Sequence, residues 1–320
     1  MLKKTKEGYL SETALPAMLH FELTGKCNLK CKQCYNDSGN RETVMTAEHW
    51  KQFAKKSADS LFSVTLSGGE PLLLGQQLFD IMDIFEEGNT WINMISNGFL
   101  IDREIAKQIS QHSIGWVEIS IDSPYEEYHD YLRGVPGSWR RAVLAASYLA
   151  SYNVPVIIGT CVTPKVLNQM EEMVKLAQQI GVMGLTFTKV LVSGRAYYNQ
   201  QELVLNDEQT ESFITKADRL QKNTKDIKIN YTTQSVQDAV NDDTHTSNYQ
   251  IPIIRPDGKM RLSCFEPIII GDVINEDITT LWERYKKVRS LAQGKQLEIA
   301  DIGINYVDKE VNYNELLQSC

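Results

Sequence analysis

Residues 24–36 read TGKCNLKCKQCYN and place three of the six cysteines of the 320-residue chain within eight positions. Cys27, Cys31 and Cys34 follow the spacing C-x3-C-x2-C, whereas the other three cysteines are far apart. A disulfide framework would be spread through a small secreted chain, and structural thiols favour apolar strands over a loop rich in Lys, Asn and Gln. The spacing therefore predicts a metal site.

The kind of metal depends on the number of ligands. Three thiolates can ligate three irons of a [4Fe–4S] cluster and leave the fourth iron open, although fully protein-held clusters use four. A structural zinc ion would need a fourth, distant ligand, and His20 and His49 lie only in the flanking segments. A cluster is favoured, with a zinc site and three unrelated thiols as alternatives.

Outward from the cysteines, strand-like and helix-like segments alternate. Six β-then-α repeats predict a parallel sheet with right-handed crossovers, and a partial (β/α)6 TIM-like barrel fits better than a flat doubly wound sheet. Such barrels place their chemistry after the carboxyl ends of the strands. The strand segments are 18–24, 63–66, 91–96, 116–121, 154–162 and 185–192, and the helix segments are 46–57, 78–87, 103–112, 138–152 and 167–180.

The pattern changes after residue 196, which predicts three regions. These are an N-terminal tail (1–17), a barrel core (18–196) and a smaller α+β extension (197–320). In the extension we expect a helix, a strand, a polar loop, a hairpin and a closing helix at 206–220, 226–233, 236–247, 249–264 and 279–291.

The cysteine motif resembles that of the radical S-adenosylmethionine (radical SAM) superfamily, in which an aromatic residue accompanies the cysteines; here Tyr35 follows Cys34. The resemblance covers residues 18–196 well. Residues 255–282 resemble the SPASM/twitch extension of this superfamily, but of its auxiliary-cluster cysteines only Cys264 matches. The resemblance implies one [4Fe–4S] cluster on which SAM chelates the open iron. An electron from the cluster then cleaves SAM to a 5′-deoxyadenosyl radical, which abstracts hydrogen from a substrate.

Further residues resemble elements that bind SAM in this superfamily. The Gly68-Gly69-Glu70-Pro71 stretch resembles the motif that binds the SAM amino group. Asn97 belongs to a Ser-Asn-Gly element that resembles one of the superfamily. Ser120 and Asp122 end the fourth strand, where the resemblance implies binding of ribose hydroxyls. Arg133 corresponds to an arginine near the SAM carboxylate, as suits a guanidinium fork. Simple turns, a capped strand end and a surface arginine are the alternatives.

Two other positions have less defined roles. Residues 193–196, Ser-Gly-Arg-Ala, resemble an element assigned to SAM or substrate positioning. Cys264 is either a buried thiol left at a former ligand position or the catalytic hydrogen-atom donor of an epimerase. We predict one cluster, because the cysteines at 161, 264 and 320 are too few for a second.

The expected function is modification of a peptide or small natural product by hydrogen abstraction, with epimerisation, dehydrogenation or crosslinking as the outcome. About 17 residues precede the first strand, so we expect no leader-binding module of the kind many relatives carry. The net charge of −8 and the lack of an apolar run long enough to span a bilayer argue against nucleic-acid and membrane partners. We expect a cytoplasmic protein with a flavodoxin- or ferredoxin-type electron donor. A nucleic-acid-modifying enzyme and an iron–sulfur electron carrier are the alternatives.

Overall fold

The structure is a computed structural model that describes residues 15–232, 251–264, 268–293 and 310–318. Strands and helices alternate through most of this range. The strands are β1 (Met18–Glu22), β2 (Ser63–Ser67), β3 (Trp91–Ser96), β4 (Ile114–Ser120), β5 (Val156–Val162), β6 (Gly184–Lys189), β7 (Lys228–Thr232), β8 (Ile253–Ile254), β9 (Lys259–Arg261), β10 (Ile268–Asp272) and β11 (Val311–Asn312).

The helices follow the strands as a β/α fold requires. Three 3-10 helices, Ala58–Ser60, Pro71–Leu74 and Val166–Asn168, supplement them. The α-helices are α1 (Ala47–Ser57), α2 (Gln76–Glu87), α3 (Arg103–Ile109), α4 (Glu126–Arg133), α5 (Ser138–Ser151), α6 (Met170–Ile180), α7 (Arg195–Tyr198), α8 (Gln200–Leu203), α9 (Asp207–Asn223), α10 (Ile278–Gln293) and α11 (Tyr313–Gln318).

Strands β1 to β7 are parallel and pair in chain order, which confirms the predicted α/β fold with a partial barrel. Side chains alternate between the two faces of each strand. One face packs against the helices through fully buried residues such as Leu66, Val117 and Phe187. The other face lines the interior of the barrel, which we call the lumen, and carries many polar residues.

The region after residue 196 adds strands to both edges of this sheet. The predicted strand at 226–233 is confirmed as β7, and it joins β6 as a seventh parallel strand. The predicted hairpin is confirmed as β8–β9, and β8 pairs parallel with β1. The closing helix is confirmed as α10, whereas the loop at 236–247 lies outside the described residues. The division into domains at residue 196 stays a prediction.

Aromatic packing fixes the start of the loop that carries the cysteines. Phe21 of β1 stacks on Trp50 of α1 at 5.1 Å between ring centroids and meets Phe53 and Phe85 edge-on. The indole Nε1 of Trp50 donates to the carbonyl of Leu23, 2.9 Å away. The chain is therefore anchored where β1 ends. No helix in the described part of the chain is long and apolar enough to cross a membrane.

Candidate active site at the carboxyl ends of the strands

The cluster loop, residues 23–46 between β1 and α1, is held by backbone hydrogen bonds from several other segments. Gly69 donates to the carbonyl of Thr24 at 2.6 Å, and Glu70 donates to that of Lys26 at 2.9 Å. On the opposite side, backbone N–H groups of Lys30 and Lys32 donate to the carboxyl-terminal turn of α4. The loop after β2 and the end of α4 thus hold the cysteine motif in place from two sides.

The three motif thiols have hydrogen-bond donors directed at them. The backbone N–H of Leu29 lies 3.4 Å from Cys27 Sγ, and that of Ser38 lies 3.4 Å from Cys34 Sγ. Arg133 Nη1 lies 3.7 Å from Cys31 Sγ. Donors of this kind surround the thiolates of iron–sulfur sites and tune them. The surroundings of the three sulfurs therefore fit cluster ligation.

Burial favours the protonated form of Cys27 and Cys31. It raises the pKa of Cys31 to about 11, against the opposing charge of Arg133, and it also raises the pKa of Cys27. A bound metal would reverse this, because a coordinating thiol is deprotonated outright. Within the described residues, no three or more His, Cys, Asp or Glu side chains group as a site for one metal ion. A [4Fe–4S] cluster bonds each thiolate to a different iron, so its ligands need not share a point.

The predicted Gly68-Gly69-Glu70 element lies directly against the cluster loop. A Cβ at Gly69 would be 1.9 Å from the carbonyl oxygen of Lys26, and one at Gly68 would be 2.7 Å from that of Thr24. Glu70 is fully buried, and both of its oxygens accept hydrogen bonds, including 2.9 Å from the Asn97 backbone. Burial raises the pKa of Glu70 to about 7, although these hydrogen bonds oppose the rise.

Asn97 and Tyr35 both make contacts that organise the cluster loop. Asn97 Nδ2 donates to Asn28 Oδ1 at 2.8 Å and lies 3.9 Å from Cys27 Sγ. The hydroxyl of Tyr35 donates to Glu22 at 2.7 Å. Burial opposes ionisation of Glu22, but nearby Arg41 and the hydrogen bonds to its carboxylate outweigh it and lower its pKa.

Asp122 and Arg133 form a buried ion pair, with Asp122 Oδ2 2.6 Å from Arg133 Nε. Asp122 also accepts from Gln33 Nε2 at 2.5 Å and from the backbone of Cys161 at 3.0 Å. Both oxygens of Asp122 are thus engaged with protein groups, and they hold Arg133 beside the cluster loop. Ser120, by contrast, makes no side-chain hydrogen bond to the described residues.

Arg195, in the 193–196 element, grips the cluster loop from the β6 side. Its backbone N–H donates to the carbonyl of Cys34 at 2.9 Å, and its Nε donates to the carbonyl of Cys31 at 2.8 Å. Its Nη1 lies 2.7 Å from both Asp37 Oδ1 and the carbonyl of Ser38. Arg195 therefore positions the cysteine motif, a role more specific than the one the sequence predicts.

The remaining cysteines lie on two sides of the cluster loop. Cys264 is half-buried and lies near Tyr35. The pKa of the Tyr35 hydroxyl is raised first by burial, then by the charge of Glu22 and then by Cys264. Cys161 projects from β5, and burial raises its pKa, with Asp122 adding to the effect. Neither forms a disulfide, and Cys320 lies outside the described residues.

Sequence reasoning also missed Glu118, an acidic residue in an apolar strand.

These features define a parallel β/α barrel in which the cysteine loop contacts residues from several strand ends and from α4. The contacting residues are Gly69, Glu70, Asn97, Asp122 and Arg133. Residues 21–177 match the family model described as the radical SAM superfamily. The predicted resemblance to the radical SAM superfamily, with its SPASM/twitch-like subgroup, is confirmed.

Two curated relatives illustrate the range of similar proteins. The chain is 28% identical over 191 residues to the AdoMet-dependent heme synthase of Methanosarcina barkeri. The matched region covers 58% of this chain and 54% of that protein. The chain is 24% identical over 272 residues to the sporulation killing factor maturation protein SkfB of Bacillus subtilis, covering 84% and 65%. The chain thus spans about half to two thirds of the length of these relatives.

Among solved structures, the fold is similar to that of Streptococcus suis SuiB bound to S-adenosylmethionine. The TM-score is 0.70 at 17% identity, over 87% of this chain and 68% of SuiB. SuiB bound to its precursor peptide SuiA gives a TM-score of 0.69 at 15% identity, over 87% and 67%. At these identities the likeness concerns the fold.

Proposed function

We propose that the chain is a radical SAM enzyme that holds one [4Fe–4S] cluster through Cys27, Cys31 and Cys34. The observation that carries the proposal is that Glu70 and Arg133, far apart in sequence, meet the cysteine loop from two sides. Cluster and SAM, when bound, supply reductive cleavage of SAM and a 5′-deoxyadenosyl radical that abstracts hydrogen.

The residues of the chain itself have separate tasks in this proposal. The three thiolates hold the cluster, and the N–H groups aimed at Cys27 and Cys34 stabilise their negative charge. Glu70 accepts hydrogen bonds from the ammonium of SAM. Arg133, held by Asp122, directs its remaining N–H groups toward the carboxylate, and Ser120 offers its hydroxyl to the ribose.

For the substrate we propose a peptide or small natural product. Support comes from SkfB, whose name is that of a maturation protein, and from SuiB, which was solved with a precursor peptide. Epimerisation, dehydrogenation and crosslinking remain the candidate outcomes. The flavodoxin- or ferredoxin-type donor, the cytoplasmic location and the absence of a nucleic-acid substrate stay predictions.

Cys264 is proposed as the hydrogen-atom donor if the reaction is an epimerisation. Its half-buried thiol lies near Tyr35, the residue that follows the cysteine motif. In heavy water, the wild type would then incorporate deuterium from the solvent into product. Cys264→Ala would stop this incorporation, whereas Cys161→Ala would not. Full labelling by the Cys264 variant would leave this thiol with a structural role.

The test of the overall proposal starts from anaerobically reconstituted protein. We expect iron and sulfide in the ratio of a [4Fe–4S] cluster, and release of 5′-deoxyadenosine on addition of SAM and dithionite. Cys31→Ala should lose both iron and product. Cys161→Ala is the matched control, because this half-buried thiol lies outside the motif, and it should keep its iron.

Two other results would contradict the proposal. A protein that binds a zinc ion tightly and takes up no iron would exclude the cluster. A protein that takes up a cluster but releases no 5′-deoxyadenosine would be an electron carrier instead.

A further inference from the structure

Glu118 places a carboxylate inside the barrel lumen with no hydrogen bond or ion pair to the described residues. It lies on β4 between Val117 and Ile119, which are fully buried against the helices. Alternation along a strand therefore directs Glu118 to the opposite, lumenal face, as it does Ser120 two residues later. The carboxylate thus lies one step below the edge that holds the proposed SAM site.

The neighbouring strand leaves space for this side chain. Gly159 of β5 pairs in register with Ser120. A Cβ at Gly159 would lie 2.5 Å from Glu118 Oε1 and 2.7 Å from its Cδ. The carboxylate therefore reaches across the sheet over Gly159, toward Cys161, the next lumenal residue of β5. A larger residue at 159 would occupy the position of the carboxylate.

The environment makes the negative charge of Glu118 costly. Burial raises its pKa to about 7, with Arg133 opposing the rise. Arg133 is itself committed to Asp122 at 2.6 Å and to Cys31. The side chain of Glu118 nevertheless keeps part of its surface accessible. A buried carboxylate without donors is costly unless a partner completes it.

We infer that Glu118 binds a primary ammonium group of the substrate, inserted into the lumen below the SAM site. This inference rests on the proposed function and narrows its substrate to molecules that carry an amine, either a lysine-like side chain of a peptide or a small amine. The ammonium supplies both the charge and the hydrogen-bond donors that the protein does not provide. Charge-assisted hydrogen bonds of this kind are the strong ones.

The test measures binding to the reconstituted protein with SAM, by titration calorimetry at pH 7. The probes are N-acetyl-Gly-Lys-Gly-amide and its norleucine analogue, which has the same apolar stem without the ammonium. We expect the lysyl peptide to bind at least about tenfold tighter. Its binding should release protons, because the ammonium requires the ionised carboxylate. n-Butylamine separates the two sources: comparable binding indicates a small amine, and weaker binding a peptide.

Glu118→Gln keeps the shape of the side chain and removes its charge, so the lysine preference and the proton release should both disappear. Glu126→Gln, on the exposed surface of α4, is the matched control and should change neither. Equal affinity for the two peptides, or binding of neither the peptides nor n-butylamine, would overturn the inference. A Glu118→Gln protein that no longer binds SAM would place Glu118 in the cofactor site instead. Absence of SAM cleavage in the wild type would reject the proposed function separately, because peptide affinity is measured without turnover.

Discussion

The edge of the barrel and its lumen differ in how their polar groups are paired. At the edge, Asp122, Arg133 and Arg195 have protein partners at 2.5–3.0 Å. In the lumen, Glu118 has none among the described residues. A group that is already paired maintains one geometry, whereas an unpaired buried group is stabilised only when a ligand arrives. Under the proposed function, the edge is a preorganised cofactor site above a substrate site that the protein leaves incomplete.

The largest effect should come from breaking the paired edge. Asp122→Ala leaves the Arg133 guanidinium buried without its counter-ion, which costs about 3–5 kcal/mol in the free energy of unfolding. Urea denaturation measures this change. The matched control is Glu126→Ala, which removes the exposed partner of Arg140 at 2.8 Å and should cost less than about 1 kcal/mol. Similar losses in both variants would show that the edge is no more tightly organised than the surface.

The second effect concerns His129, whose Nδ1 accepts a hydrogen bond from the Asp122 backbone at 3.2 Å. Burial, reinforced by Arg133, lowers the pKa of His129 to about 4. An unfolded histidine titrates near 6.5, so the unfolded chain binds the proton first as the pH falls. Stability should therefore be lost between pH 6.5 and pH 4, by on the order of 3 kcal/mol from this residue.

This dependence is measured as the difference in unfolding free energy between pH 7 and pH 4.5, in the wild type and in His129→Asn. The asparagine retains an acceptor for the Asp122 backbone but does not titrate in this range. We expect a smaller difference in the variant. Equal differences would assign the acid sensitivity to other groups and remove His129 from the tightly organised edge.

A third, smaller effect tests the close approach of Gly69 to the cluster loop. An added Cβ would lie 1.9 Å from the oxygen and 2.5 Å from the carbon of the Lys26 carbonyl, both backbone atoms. The loop must then move, at a cost of about 1–3 kcal/mol. Gly69→Ala should also take up less iron on reconstitution, measured per chain. Wild-type iron content would show that the loop adapts and that the edge is not preorganised.

The sequence predicts the edge well because its signals are local. The cysteine spacing and the glycines before Glu70 lie within single turns, and parallel strands must bring their carboxyl ends together. The fold class follows from the same alternation of strands and helices. The sequence therefore predicts which residues lie at this edge, but not the hydrogen bonds between them. The bond from Arg195 to the carbonyl of Cys31, for example, joins positions 164 residues apart.

The sequence predicts less well which residues line the lumen and which strands lie outermost in the sheet. A strand pattern identifies β7 but says nothing about which strand it pairs with, so the sequence assigned it to a separate region. Glu118 carried a signal, since a charged residue alternating with Val117 and Ile119 must face away from the core. The space for the Glu118 side chain, however, depends on Gly159. Only the pairing of β4 with β5 brings these two residues together.

The smallest effect on stability is expected for Gly159→Ala, and it tests the comparison most directly. The atoms that the new Cβ would meet belong to the far end of the Glu118 side chain, at 2.5 Å and 2.7 Å, so this side chain can rotate away. Because the contact is with a flexible side chain and not with backbone, we expect a loss below about 1 kcal/mol and normal iron content. The displaced carboxylate should nevertheless lose its preference for the lysyl over the norleucyl peptide. A retained preference would mean that Glu118 does not need its place over Gly159, and a large loss of stability would mean that the lumen is packed as rigidly as the edge.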